Sequence, residues 1–229
     1  MTRTEAMQAD IDVGLRQYML RVYNYMASGL ALTGLVAAFV ASSPTLVNAI
    51  FGSPLKWVVM LAPLGLVFFL SFRINAMSAA AAQATFWVYA AVNGIAFATI
   101  FLAFTGTSIA RVFFITAATF AAMSLYGYTT KKDLSGWGTF LFAGLIGILI
   151  AMVVNIFLAS SALQFAISVI GVVVFVGLTA YDTQQIKEMY YEGDGHEIAA
   201  KKSIMGALRL YLDFINIFIM LMQLFGERK

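Results

Sequence analysis

The sequence predicts an all-α integral membrane protein with seven transmembrane helices, and three observations carry that prediction. Of its 229 residues, 62% are hydrophobic and only 11% charged, with a mean hydropathy of +0.88, far outside the range of soluble domains. Apolar runs of about 20 residues, enough to cross a hydrocarbon layer of roughly 30 Å, recur seven times. Each run is continuous rather than alternating, which fits helices and not the strands of a barrel.

Taken in order, residues 1–22 read as a cytoplasmic tail. Three acids stand among its arginines, unlike the purely basic start of a cleaved signal peptide, and the apolar run that follows is longer than a signal needs. The spans are then expected at about 23–42, 55–73, 80–104, 109–129, 138–159, 163–186 and 204–226. The segments between them, SSPTLVNAIFGSP, RINAMS, TGTS, TTKKDLSGW, ASSA and KEMYYEGDGHEIAAKK, collect the Pro, Gly, Ser and charge expected of turns. No separate soluble domain is indicated, so residues 1–229 read as one transmembrane domain. With the N-terminus inside, ten of the fourteen basic residues fall on the inner side, the bias expected of cytoplasmic loops. Compact loops and the lack of eukaryotic targeting features point to a bacterial inner membrane. Small residues, including Gly29, Gly34, Ala79 to Ala82, Gly144, Gly147, Gly171 and Gly177, are expected where helices approach closely.

Composition also excludes function classes. A net charge of +3 arises from dispersed basic residues with no basic run or aromatic groove, so nucleic acid is not a partner; the lipid bilayer is. The absence of Cys removes disulfides, thiol nucleophiles and Cys-bound metals. No enzyme is expected, and no cofactor. The one histidine, His196, lies in the EGDGHE loop, so an intramembrane Ser–His protease lacks its base, and no HExxH, GxxxxGK[ST] or GxGxxG pattern occurs. The seventh span carries no lysine for a retinal Schiff base.

Two acids stand out. A run of 48 residues, Leu134 to Tyr181, holds no Asp, Glu, Lys or Arg and is broken by Asp182. Asp213 lies inside YLDFINIFIMLMQLF of the seventh span. A charged Asp at mid-bilayer costs on the order of 2.5 to 3.5 kcal/mol, so such residues are kept where they are partnered or near an interface. Arg209, Asp213, Asn216, Met220 and Gln223 follow steps of four, three, four and three, which stacks them on one face of the seventh helix. Ser168, Gly171, Phe175, Thr179 and Asp182 form a corresponding face on the sixth. The economical arrangement turns the two faces toward each other. They then serve either as hydrogen-bonding glue with an Arg209 to Asp213 ion pair, or as a carboxylate pair. Two Asp side chains within a few Å in a low-dielectric interior do not both ionise easily, so they share a proton and titrate together. Ionised, they offer a hard oxygen site for Ca²⁺. Arg73, ending VFFLSFR, is either an interfacial snorkelling arginine or a latch that pairs with ionised Asp182.

GLTAYDTQQIK in the sixth span and LRLYLDFINIFIMLMQLFG in the seventh resemble the signature segments of the Bax inhibitor family, also called the transmembrane Bax inhibitor motif family. The seven-span layout and Arg73 extend the resemblance over nearly the whole chain. It implies a fold in which the seventh helix is central and surrounded by the other six. It also implies a pH-sensitive Ca²⁺ leak, with Asp182 and Asp213 matching the paired aspartates and Arg73 the latch. Thr179, Arg209, Asn216 and Gln223 are expected to support that site. Bacterial members include a protein that modulates a membrane-bound ATP-dependent protease, a second class of function. The chain ends at GERK with almost no charged tail, so the tail-dependent behaviour of some eukaryotic relatives is not implied, nor is cell-death regulation.

Overall fold

A computed structural model describes the backbone of residues 3–229 and the side chains of residues 13–229. Eight helices follow one another: α1 (Arg3–Ala41), α2 (Pro44–Phe51), α3 (Leu55–Arg73), α4 (Ala79–Ala103), α5 (Gly106–Thr129), α6 (Ser135–Leu158), α7 (Ser161–Glu188) and α8 (His196–Phe225). All but α2 are long and apolar enough to cross a membrane, which gives seven spans. No strand occurs among the described residues.

The helices depart from the expected boundaries in three places. Helix α1 starts at Arg3, well before residue 23. Tyr18, Met19, Val22 and Met26 are buried, so the supposed tail already carries a helical stripe facing protein. Met1, Thr2 and the side chain of Arg3 lie outside the described residues. The expected turn SSPTLVNAIFGSP contains α2, started by Ser43, whose Oγ accepts the Leu46 N–H at 3.4 Å, and by Pro44 in the first turn. The loop expected at 187–202 shrinks to 189–195, because α7 and α8 continue beyond their apolar parts. His196 is thus the first residue of α8, and it is exposed.

The backbone groups into two compact units, Met1–Ala103 with Ile186–Tyr211, and Phe104–Gln185 with Leu212–Lys229. In the first, α1 and α4 run side by side in the same direction. Thr33 Oγ1 donates to Ala90 O at 2.8 Å and pairs with the Tyr211 hydroxyl at 2.7 Å. A Cβ at Gly94 would stand 2.7 Å from the Thr33 carbonyl oxygen, so only glycine permits that approach. The loop before α8 is held by Lys202, which donates to Met189 O at 2.8 Å and pairs with Asp194 at 2.5 Å.

In the second unit the glycines again decide which helices meet. A Cβ on Gly127 of α5 would lie 2.2 Å from Ala180 O of α7, and one on Gly177 of α7 would lie 2.7 Å from Leu141 Cδ2 of α6. The chain end is fixed to the start of α5, where Arg111 pairs with Glu227 at 2.9 Å and Thr105 N–H donates to Glu227 O at 2.9 Å. Gly29, Gly144, Gly171 and Gly177 stand at close contacts as expected. Gly34 and Gly147 do not: a Cβ at either would meet nothing within 4 Å, so these two face open space.

Burial separates the spans. In α8, 72% of the apolar window is buried, against 11% in α6 and at most 39% in any other span. Helix α8 is a continuous 30 residues, about 45 Å at 1.5 Å per residue, long enough to cross the bilayer rather than dip into it. Its first part belongs to one unit and its second to the other.

Candidate functional site

The site lies in the second unit, where α7 and the second half of α8 run antiparallel. Ser168 Oγ donates to Gln223 Oε1 at 3.0 Å. Gly171 leaves room for Met220, whose Cγ and Sδ would stand 3.0 Å from an added Cβ. These four residues belong to the two faces that helical spacing singles out, so the faces meet at this end. The same register carried along the helices sets Leu178 level with Asp213 and brings Asp182 one turn away, roughly 6 Å along the axis. Both acids stay on the facing stripes, since 182 lies eleven residues from 171, and 213 seven from 220, close to whole numbers of turns.

The residues on either side of Asp182 are anchored. Ala180 sits against Gly127, and Tyr181 packs where a Cβ on Gly138 would come within 2.5 Å of its ring. Thr183 Oγ1 donates to Thr179 O at 2.7 Å and shares a hydrogen bond with Ser124 Oγ at 3.0 Å. Gln184 holds the turn before α6 from both ends, with Oε1 accepting Leu134 N–H at 2.8 Å and Nε2 donating to Lys132 O at 2.8 Å. Each neighbour of Asp182 therefore anchors α7 to α5, to α6 or to the turn between them. Position 182 itself falls on the same helical stripe as Ser168 and Gly171, the stripe that meets α8 at the other end of the seam.

Asp213 is 4% exposed and Asp182 half-buried. Both interact with neighbouring groups. Thr179 is fully buried and donates to Phe175 O at 2.8 Å, while Asn216 Nδ2 donates to Leu212 O at 2.8 Å. The Thr179 hydroxyl proton and one of the two Asn216 amide N–H groups are thus used within their own helices, and both side-chain oxygens remain as acceptors. Among the described residues no group of three or more His, Asp or Glu side chains is placed to hold a metal. A hard cation here would be met by two carboxylates, amide or hydroxyl oxygens, and water.

The other predicted participants differ from these in exposure or in unit. Arg209 and Gln223, the two ends of the expected polar stripe, are exposed, so only its middle is enclosed. Arg73 ends α3, exposed, and with Arg209 belongs to the first unit, whereas Asp182, Asp213, Thr179, Asn216 and Gln223 belong to the second. Sequence reasoning missed an amide cluster at the far end of the α7–α8 seam. Gln164 Nε2 donates to Gln223 Oε1, and Asn155 Nδ2 donates to Gln164 Oε1 at 3.3 Å. The available signal was a pair of amides flanking ASSA, beside an otherwise apolar span.

Comparison with known proteins adds the relationship. The family model described as "Inhibitor of apoptosis-promoting Bax1" matches residues 15–229. A protein of Rickettsia prowazekii is 48% identical over 99% of this chain and 96% of its own length. The inner membrane protein YbhL of Escherichia coli (strain K12) is 48% identical over 94% of both chains. A membrane protein of Streptococcus pyogenes serotype M3 is 36% identical over 94% of this chain and 95% of its own.

Proposed function

This chain belongs to the Bax inhibitor family, and on that premise we propose that it is a pH-sensitive passive leak for Ca²⁺ in a bacterial inner membrane, gated by Asp182 and Asp213. The α7–α8 register supports this most, because its continuation along both helices is consistent with carboxylates at 182 and 213 about one turn apart, and Asp213 is almost wholly enclosed. Ionised carboxylates in such a place attract a hard cation; protonated ones do not. Ca²⁺ takes six to eight oxygens, and this site supplies few, so an ion would keep much of its water and bind weakly enough to leave. That suits transit rather than storage.

Proton and cation compete for the same oxygens. Protonation of Asp182 also releases Arg73 in its role as latch, opening the path while weakening its attraction for the ion. The two effects oppose each other, so flux rises and then falls as pH increases. The N-terminus lies in the cytoplasm, as the distribution of basic residues favours. The residence of YbhL in an inner membrane supports the same location here.

The test is Ca²⁺ flux into proteoliposomes across pH for the parent, Asp182→Asn and Asp213→Asn. The expected result is a maximum for the parent and flat, reduced traces for the variants. Identical traces that ignore pH would remove the proposal. Contact with a membrane-bound protease is the competing class; it predicts that removing residues 1–12 abolishes co-purification of the protease while flux is unchanged.

A further inference from the structure

A second polar feature lies in the first unit, on a different pair of helices. Gln17, Arg21, Asn24 and Ser28 follow steps of four, three and four and form one polar stripe on α1. Together with Tyr25 and Trp87 they line an open groove of about 460 Å³ on the α1–α4 surface. Arg21 is half-buried, and Gln17, Asn24 and Ser28 are exposed. Among the described residues the Arg21 guanidinium has no acidic partner, and the Gln17 and Asn24 amides have no hydrogen-bond partner. Ser28 Oγ donates to Asn24 O at 2.6 Å, so the guanidinium and the two amides are the members of the stripe left to bind a group outside the protein.

Its depth says what that group is. The parallel register of α1 and α4, fixed by Gly29 against Phe86 and by Thr33 Oγ1 on Ala90 O, sets Arg21 level with Ser78, just before the first turn of α4. That turn is capped by Glu197, whose Oε1 accepts Ala79 N–H at 3.0 Å, so it stands at the water boundary of the span. Trp87 lies two turns deeper, its ring 6.2 Å from that of Tyr25. A side chain on a helix leans toward its N-terminus, which tips the indole back toward Arg21. The groove therefore presents a guanidinium at headgroup depth, amides beside it, and aromatic walls that begin about 6 Å deeper at Tyr25 and continue along the acyl chains to Trp87.

We propose that this groove is a binding site for the phosphate headgroup of an anionic phospholipid. The guanidinium fork matches two phosphate oxygens, and the amides reach headgroup hydroxyls. A zwitterionic lipid is the poorer fit, because no carboxylate among the lining residues meets its ammonium. The occupant is a lipid rather than a free anion, because the groove opens along a membrane-spanning surface and its aromatic walls are there to pack acyl chain.

Trp87 makes the site its own reporter. In full-length protein carrying Trp57→Phe and Trp137→Phe, reconstituted into vesicles, quenching by brominated phosphatidylglycerol is compared with quenching by brominated phosphatidylcholine. Phosphatidylglycerol is expected to reach half-quenching at a several-fold lower mole fraction. Arg21→Gln should bring the two lipids together, and Arg21→Lys, which keeps the charge but loses the fork, should keep a smaller preference. Equal quenching in the parent, or an unchanged preference in Arg21→Gln, would overturn the assignment. So would loss of preference in Arg21→Lys, which would mark a packing defect, or displacement of the lipid by millimolar inorganic phosphate, which would mark a free-anion site. None of these readouts depends on ion flux.

Discussion

The two ends of the α7–α8 seam are built from different chemistry. Where α7 begins and α8 ends, Gln164, Ser168 and Gln223 bond to one another, with Asn155 joining from α6. These groups are neutral and bond to one another, so they need neither a proton nor an ion. Further along, the same stripes carry Asp182 and Asp213, and a carboxylate in that setting must find a proton, a cation or a cationic partner. On the proposed reading the two ends divide the labour: amides hold the helices at one end regardless of pH, so that the other end can change charge without the seam parting.

The strongest way to break this comparison is to neutralise the charged end. Asp213→Asn should remove the pH response of flux, lowering the maximum about tenfold or more if one charge at the site is worth 1.4 kcal/mol or above, while thermal stability in detergent stays level or rises. A pH response that survives Asp213→Asn would place the sensor elsewhere.

Next in size is the mounting of Asp182. Gly127→Ala pushes a methyl into the Ala180 carbonyl, which is backbone and has no rotamer to yield, so α5 and α7 must separate. Overpacking of this kind costs about 2 kcal/mol, and thermal unfolding measures it. Gly147→Ala, into open space, should change stability by less than about 0.5 kcal/mol. Equal effects at the two glycines would mean that α7 is not held where the contacts put it.

The neutral end should respond differently again. Gln223→Leu removes the acceptor of both Gln164 and Ser168, which is expected to cost roughly 1 to 2 kcal/mol of stability. The pH of maximal flux should stay where it was. A shift in that pH would show the two ends to be coupled rather than separate.

Those glycines also mark what the sequence could and could not disclose. Apolar run length found all seven spans, and helical spacing alone selected Ser168, Gly171, Met220 and Gln223, which meet across the seam. Spacing could not separate Gly144, packed on Val174, from Gly147, packed on nothing, because a glycine carries no mark of which helix it faces. It overlooked Gly127 and Gly138 for the same reason. The early start of α1 forms no continuous apolar run, since Tyr18, Met19, Val22 and Met26 are spaced for one face and interrupted by Arg21 and Asn24. The polar interruptions that disguised the helix are the residues that line the α1–α4 groove.

The smallest effect concerns a third carboxylate, in water rather than in the seam. Asp133 Oδ1 accepts the Ser135 N–H at 2.8 Å where α6 starts, and the backbone hydrogen bond from Ser135 holds its pKa below the ordinary aspartate value. A carboxyl whose folded pKa is lowered contributes stability that is complete above its unfolded pKa and is lost as pH falls through the folded one. Asp133→Ala should therefore lower the unfolding temperature slightly at pH 7, with the gap to the parent closing under acid, below the usual carboxylate range. Flux should keep the parent's pH maximum throughout, because this acid titrates in solvent and touches neither seam. If Asp133→Ala moved that maximum, a surface carboxylate would be steering the response, and the pair at 182 and 213 would lose its standing as the sensor.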